Sequence, residues 1–233
     1  MNIRWYSQGN QQKKKNRCDS NLFLLTIFFA NHKVWDSFVG SEMTTLIGHT
    51  ERVNAVSIHP ITDEVLSVSD DKTIKLWDPL AGTELNTFMG HTNIVSDCIF
   101  MPTGNLIVSA SLDSTIKVWD SSTTSIHSGH SGQINALSFS NDSNLVASCS
   151  DDHTIRIWKA ADTSKPIMTL RAHTKFVTGC AFAPNHSNVL ASCSDDNTAI
   201  LWDSNGNVRW TFSHPKSVSG LAFSPDGKRL ATS

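Results

Sequence analysis

An all-β fold of four-stranded antiparallel blades is what this sequence of 233 residues predicts, and three observations predict it. One pattern recurs. His49, His91, His130, His173 and His214 are spaced 42, 39, 43 and 41 residues apart. Trp77, Trp119, Trp158 and Trp202 follow the first four at 28, 28, 28 and 29 residues. Each period also divides into short apolar, β-prone runs separated by turn residues at roughly 8–12-residue spacing, which is antiparallel patterning. Finally, no stretch carries the helical hydrophobic period. Four strands per unit at a period of roughly 40 residues are propeller blades.

The elements follow in order. Residues 1–31 are atypical, with Lys13, Lys14, Lys15 and Arg17 in a polar tail before an apolar run at 22–30. The basic cluster reads as a solvated tail rather than a phosphate patch. The run is too short for a membrane-crossing helix. A buried strand, or a segment foreign to the domain, is expected there. Asp19 and the long polar lead-in argue against a secretory leader. A first, partial blade (32–47) supplies two strands, 32–36 and 43–47. Counting back from Trp35 puts Phe29 at the turn aspartate and Ser7 at the histidine.

Complete blades are expected at 48–89, 90–128, 129–171 and 172–212, and a partial one at 213–233. First strands are placed at 53–58, 94–100, 134–139, 177–182 and 218–223. Each ends at a turn bearing Pro60, Pro102, Asn141, Pro184 or Pro225. Second strands follow at 65–69, 106–111, 145–150 and 189–194, and third strands at 73–77, 115–119, 154–158 and 198–202. More polar fourth strands include 84–88 and 166–170. The extra residue of the fourth full unit is placed near 185–188. The ring is not expected to close, and the chain reads as part of a longer propeller or a mis-assembled gene product. An open arc would leave strand edges prone to association.

These units resemble those of the WD-repeat β-propeller family. Gly-His opens the unit, Ser-x-Ser-x-Asp-x-Thr lies in its middle and Trp-Asp closes it, over about residues 32–233. The resemblance implies a structural network in every blade. The histidine bonds the turn aspartate, and a serine hydroxyl links that histidine to the tryptophan N–H. The sets are His49, Ser67, Asp71 and Trp77; His91, Ser109, Asp113 and Trp119; His130, Ser148, Asp152 and Trp158; and His173, Ser192, Asp196 and Trp202. The first serine of each Ser-x-Ser pair is the one favoured.

Ser, His and Asp together also suggest a hydrolase, with Ser109 as nucleophile, His91 as base and Asp113 as orienter. Repetition decides against it, because a catalytic set has no reason to occur once per blade. The protein is therefore read as non-enzymatic. Asp70-Asp71, Asp151-Asp152 and Asp195-Asp196 recur in the same turn, so no metal site is assigned. The first aspartate of each pair is expected to be solvated or aimed at a partner. With no Gly-rich phosphate loop, nucleophile elbow or H-E-x-x-H motif, no cofactor and no small-molecule substrate are expected.

Net charge is −2, from 19 basic and 21 acidic residues, and shows no nucleic-acid footprint. Neither nucleic acid nor membrane is expected as a direct partner. Cys18, Cys98, Cys149, Cys180 and Cys193 form no C-x-x-C pair. Their odd number, without a secretory signal, favours a reducing, intracellular setting.

By the same resemblance, the histidine loops and aspartate turns share one face, where peptides bind in many propellers. The varying residues there are the candidate contacts for protein or peptide partners: Arg52, Asn54, Ile94, Leu112, Gln133, Asn135, Lys175 and Phe176. Ile94, Leu112 and Phe176 are expected to be exposed. A protein-interaction scaffold is the function this implies. The alternative is the C-terminal repeat region of a large NACHT-type signalling scaffold or a telomerase-associated-like ribonucleoprotein scaffold.

Overall fold

A computed structural model describes residues 23–28, 30–36, 41–120, 124–160, 165–184 and 189–233. Cys18, the Lys13–Arg17 cluster and the 185–188 insertion lie outside them. The described residues form strands and turns throughout. The first sheet holds β1 (Phe23–Phe28), β2 (Asn31–Asp36) and β3 (Glu42–Ile47). Four complete sheets follow. The first comprises β4 (Val53–Ile58), β5 (Val65–Ser69), β6 (Ile74–Asp78) and β7 (Thr83–Phe88). The second comprises β8 (Val95–Phe100), β9 (Ile107–Ser111), β10 (Thr115–Trp119) and β11 (Thr124–Ser128). The third comprises β12 (Ile134–Phe139), β13 (Leu145–Ser150), β14 (Thr154–Lys159) and β15 (Met168–Arg171). The fourth comprises β16 (Val177–Phe182), β17 (Leu190–Ser194), β18 (Thr198–Trp202) and β19 (Val208–Ser213). A two-stranded sheet of β20 (Leu221–Phe223) and β21 (Leu230–Thr232) ends the described chain.

Every pairing is antiparallel between sequence neighbours. Successive turns therefore alternate between the two ends of a blade. The loop before a blade's first strand and the turn between its second and third strands share one end, here called the loop face. The other two turns lie at the opposite end. The sheets stack in order and do not close into a ring. The 22–30 run supplies β1, which pairs with β2 from Phe23↔Asp36 to Phe28↔Asn31. The first sheet thus has a third strand, in the run where a strand or a foreign segment is expected.

Apolar residues on one sheet meet those of the next, so the core is a series of layers between blades. Each of the first four layers contains the tryptophan of its downstream blade: Trp77 with Val34 and Leu46, Trp119 with Leu66 and Ile74, Trp158 with Val108 and Ile116, Trp202 with Ile155 and Leu170. All four tryptophans are buried, whereas Trp35 is only half-buried. Burial of a large aromatic contributes on the order of 1.5–3 kcal/mol, so these rings are the main apolar anchors between blades.

One irregularity repeats. Each complete blade's first strand shifts register at the same place: Val53/Ala55, Val95/Asp97, Ile134/Ala136 and Val177/Gly179. A β-bulge re-aims the extra side chain. The bulged residues are Asn54, Ser96, Asn135 and Thr178, each five positions after its histidine. Their side chains reach the following blade's first strand or, for Thr178, the segment just before β20. Asn54 donates to the Val95 carbonyl (2.9 Å), Ser96 to Ile134 (2.5 Å), Asn135 to Val177 (2.9 Å) and Thr178 to Val218 (2.6 Å).

No helix among the described residues is long and apolar enough to cross a membrane, a statement about helices alone.

Candidate functional site: buried clasps beneath a variable loop face

The same polar cluster stands in each complete blade. Imidazole Nδ1 meets the turn aspartate at 2.7 Å (His49–Asp71), 2.8 Å (His91–Asp113), 2.8 Å (His130–Asp152) and 2.9 Å (His173–Asp196). Nε2 lies 2.8 Å from the hydroxyl of Ser67, Ser109, Ser148 or Ser192. The same hydroxyl accepts the indole N–H of Trp77, Trp119, Trp158 or Trp202 at 2.8, 2.8, 2.9 and 2.8 Å. A neutral imidazole with its proton on Nδ1 satisfies every group: Nδ1–H donates to the carboxylate and Nε2 accepts the serine proton. The cluster ties the loop before a blade to its second and third strands.

Two further hydroxyls complete it. Thr73, Thr115, Thr154 and Thr198 donate to the other aspartate oxygen at 2.6, 2.5, 2.6 and 2.6 Å. The second serines, Ser69, Ser111, Ser150 and Ser194, accept the aspartate's backbone N–H at 3.0–3.1 Å. Gly48 and Gly129 let the loop approach the tryptophan ring, since a Cβ there would come within 2.9 and 2.8 Å of it.

Burial pushes the pKa of His49, His91 and His173 down, and the paired aspartates offset this only in part. Burial alone would raise the aspartates, but hydrogen bonds from threonine, histidine and backbone outweigh it. Asp196 is held down to about 2. The His49–Asp71, His91–Asp113 and His173–Asp196 pairs are therefore neutral imidazole beside carboxylate at neutral pH. The four bridging serines are fully buried, and both roles of each hydroxyl are engaged. A hydroxyl in that state presents no nucleophile to a molecule in solution.

On the loop face each varying loop residue pairs with the turn between the second and third strands. The carbonyls of Arg52, Ile94, Gln133 and Phe176 accept the backbone N–H of Asp70, Leu112, Asp151 and Asp195 at 2.8, 2.9, 2.9 and 3.0 Å. Ile94 and Leu112 are half-buried rather than exposed. Phe176 is 48% exposed. Asn54 and Asn135 point along the blade-to-blade seam rather than outward, and each also donates to the first aspartate of the pair: Asn54 to Asp70 (2.7 Å) and Asn135 to Asp151 (2.8 Å). Asp70 and Asp151 are thus tied into the fold, not simply solvated. Asp195 makes no such bond among the described residues, because its blade carries Thr178 where the others carry asparagine. A depression of about 610 Å³ opens there, lined by His153, Lys175, Phe176, Asp195, Asn197 and Lys216 among others.

The family model described as "WD domain, G-beta repeat" matches residues 40–78, 82–120, 121–159, 164–203 and 206–233. The chain belongs to the WD-repeat family. Each matched WD repeat begins with the last strand of one sheet and continues into the next, as β7 does with β8, β9 and β10. A sequence repeat therefore straddles two blades and helps hold them together. A Paramecium tetraurelia protein described as Lissencephaly-1 homolog 1 is 42% identical over 65 residues. That segment is 28% of this chain and 16% of the relative, so the match spans a small share of the relative's length. WD repeats serve generally as non-catalytic platforms for protein–protein interaction. Among the described residues, no group of three or more His, Cys, Asp or Glu side chains is arranged to hold a metal ion.

The bulge latches and the threonine contacts are the site features that the residue pattern did not single out. A signal was present: a polar residue recurs five positions after every histidine, in step with the network.

Proposed function

We propose that this WD-repeat chain is a non-catalytic, intracellular scaffold that holds protein partners on its loop face. One observation carries the reading. Loop residues that differ between repeats, Arg52, Ile94, Gln133 and Phe176, each pair with the turn, at Asp70, Leu112, Asp151 and Asp195, above a clasp that does not differ. A constant frame under a varied surface is how loops carry recognition on a rigid scaffold. The intracellular placement is supported by Cys149, Cys180 and Cys193, all buried and free.

The test uses a partner identified by cross-linking, then purified and titrated by calorimetry. Binding should be lost in an Arg52→Glu/Ile94→Asp/Phe176→Ala protein and kept in an Ile61→Asp/Leu80→Asp protein, whose changes sit at the opposite end. Ile61 and Leu80 are exposed there. Retention by the first variant with loss by the second would overturn the loop-face assignment.

A further inference from the structure

We infer that the depression between the last blades is a docking site for an acidic peptide segment carrying an apolar side chain. The inference rests on the loop-face reading above and names the ligand class. Three successive units build the depression: His153 from the turn before β14, Lys175, Phe176, Asp195 and Asn197 from the next blade, and Lys216 from the loop before β20.

Its charge is local. The residue two positions after each histidine is Glu51, Asn93, Gly132, Lys175 and Lys216 in turn, so only the last two are basic. Both of those line this one depression. Its apolar element is local too. Phe176 is half-exposed and stands 5.9 Å from the His153 ring, giving a tilted aromatic pair on one wall. A ligand side chain can lie against that pair while its carboxylates reach the two ammonium groups. The cavity size suits a side chain and its neighbours rather than a whole domain.

Carboxylate fits better than phosphate. Phosphate recognition favours the bidentate fork of arginine, and the cations here are lysines, which act as compact point charges. A nucleic-acid backbone would need a basic stripe, and the chain's net charge is −2. Asp195 sets a further condition: it repels an anion placed over the β17–β18 turn, so the ligand's acidic groups must sit toward the two lysines.

The test is a titration of the full chain with an acetylated, amidated Glu-Glu-Phe-Glu-Glu peptide, followed by fluorescence anisotropy and by the His153 ring proton signals. Binding should move the His153 signals. It should weaken roughly tenfold in Lys175→Glu/Lys216→Glu, by the loss of two charge contacts and their replacement by repulsion. Phe176→Ala should weaken it as well. The Lys159→Glu/Lys228→Glu protein, with equal charge change at the opposite end, should bind as the parent does. The substituted positions are exposed, and unchanged melting curves establish that each variant is folded.

The inference is overturned if the peptide does not bind, if Lys-Lys-Phe-Lys-Lys binds as well, if a phosphoserine peptide binds more tightly, or if the double reversal has no effect. Any of these results, obtained while an identified partner still depends on the loop face, removes the ligand class and leaves the scaffold reading intact.

Discussion

Replacing His32 with isoleucine should stabilise the junction between the first sheet and the first complete blade. His32 lies on β2 opposite Leu46, the register position that Ile74 takes opposite Phe88 and Ile155 opposite Leu170. Its side chain is fully buried, and neither ring nitrogen has a hydrogen-bond partner among the described residues. It stacks on His49 and meets the edge of Trp77, both at 5.8 Å between centroids. Each stranded polar group costs about 1–3 kcal/mol, and each ring contact returns about 0.5–1.5 kcal/mol. The net gain for His32→Ile at neutral pH is therefore about 1–3 kcal/mol.

The acid side gives a second handle on the same residue. Burial, reinforced by His49, pushes the His32 pKa down to about 3 from 6.5. Between those values the unfolded chain binds a proton that the native state refuses, so native stability falls as pH drops through the window. The limiting loss is about 5 kcal/mol. Amide hydrogen exchange in β2 and β3, followed at pH 7 and at pH 4.5, reads both effects locally. The isoleucine protein should exchange more slowly at pH 7 and lose less protection at pH 4.5. Faster exchange at pH 7, or an unchanged acid response, would refute the reasoning.

Asn135→Ala removes donors from the Val177 carbonyl and the Asp151 carboxylate; chemical denaturation should show a loss of about 1–3 kcal/mol. Gly104→Ala should cost a similar amount, about 1–3 kcal/mol. Gly104 has φ 79°, a Cβ there would come within 2.6 Å of the His59 ring, and its carbonyl accepts His59 Nε2 at 2.9 Å. The clasps should also make the whole arc acid-labile. The lowered pKa of His49, His91 and His173 means that stability is complete above the ordinary histidine value and declines below it. The lowered aspartates add a further decline below the ordinary carboxylate range. Melting temperature against pH should show this fall, and a flat profile between pH 7 and pH 4 would contradict it.

Strand order was legible because apolar alternation and turn residues are local signals, and every blade repeats them. The clasp was legible for another reason: four residue types recurring together at fixed offsets in four copies point to shared geometry. What stayed hidden depends on where a side chain is aimed. Asn54 and Asn135 have the spacing of outward-facing residues, but a β-bulge turns them into the seam, where they also capture Asp70 and Asp151. Ile94 and Leu112 differ from their counterparts and so look like exposed contacts, yet both are half-buried. His32 keeps the offset of a core isoleucine, but its stacking on His49 needs two sheets in place. Lys175 and Lys216 are far apart in sequence and share a cavity only because successive blades set their loops side by side.

The most direct measurement is denaturant stability across Ser67→Ala, Ser109→Ala, Ser148→Ala and Ser192→Ala, read together with solvent exchange of the four indole N–H groups. Each substitution strands one histidine nitrogen and one indole N–H. The four should lose comparable stability, about 2–6 kcal/mol each, and each should expose the indole of its own blade most. If one variant kept full stability and indole protection while abolishing a binding or chemical activity, that serine would be a functional group, and the clasp account would fail.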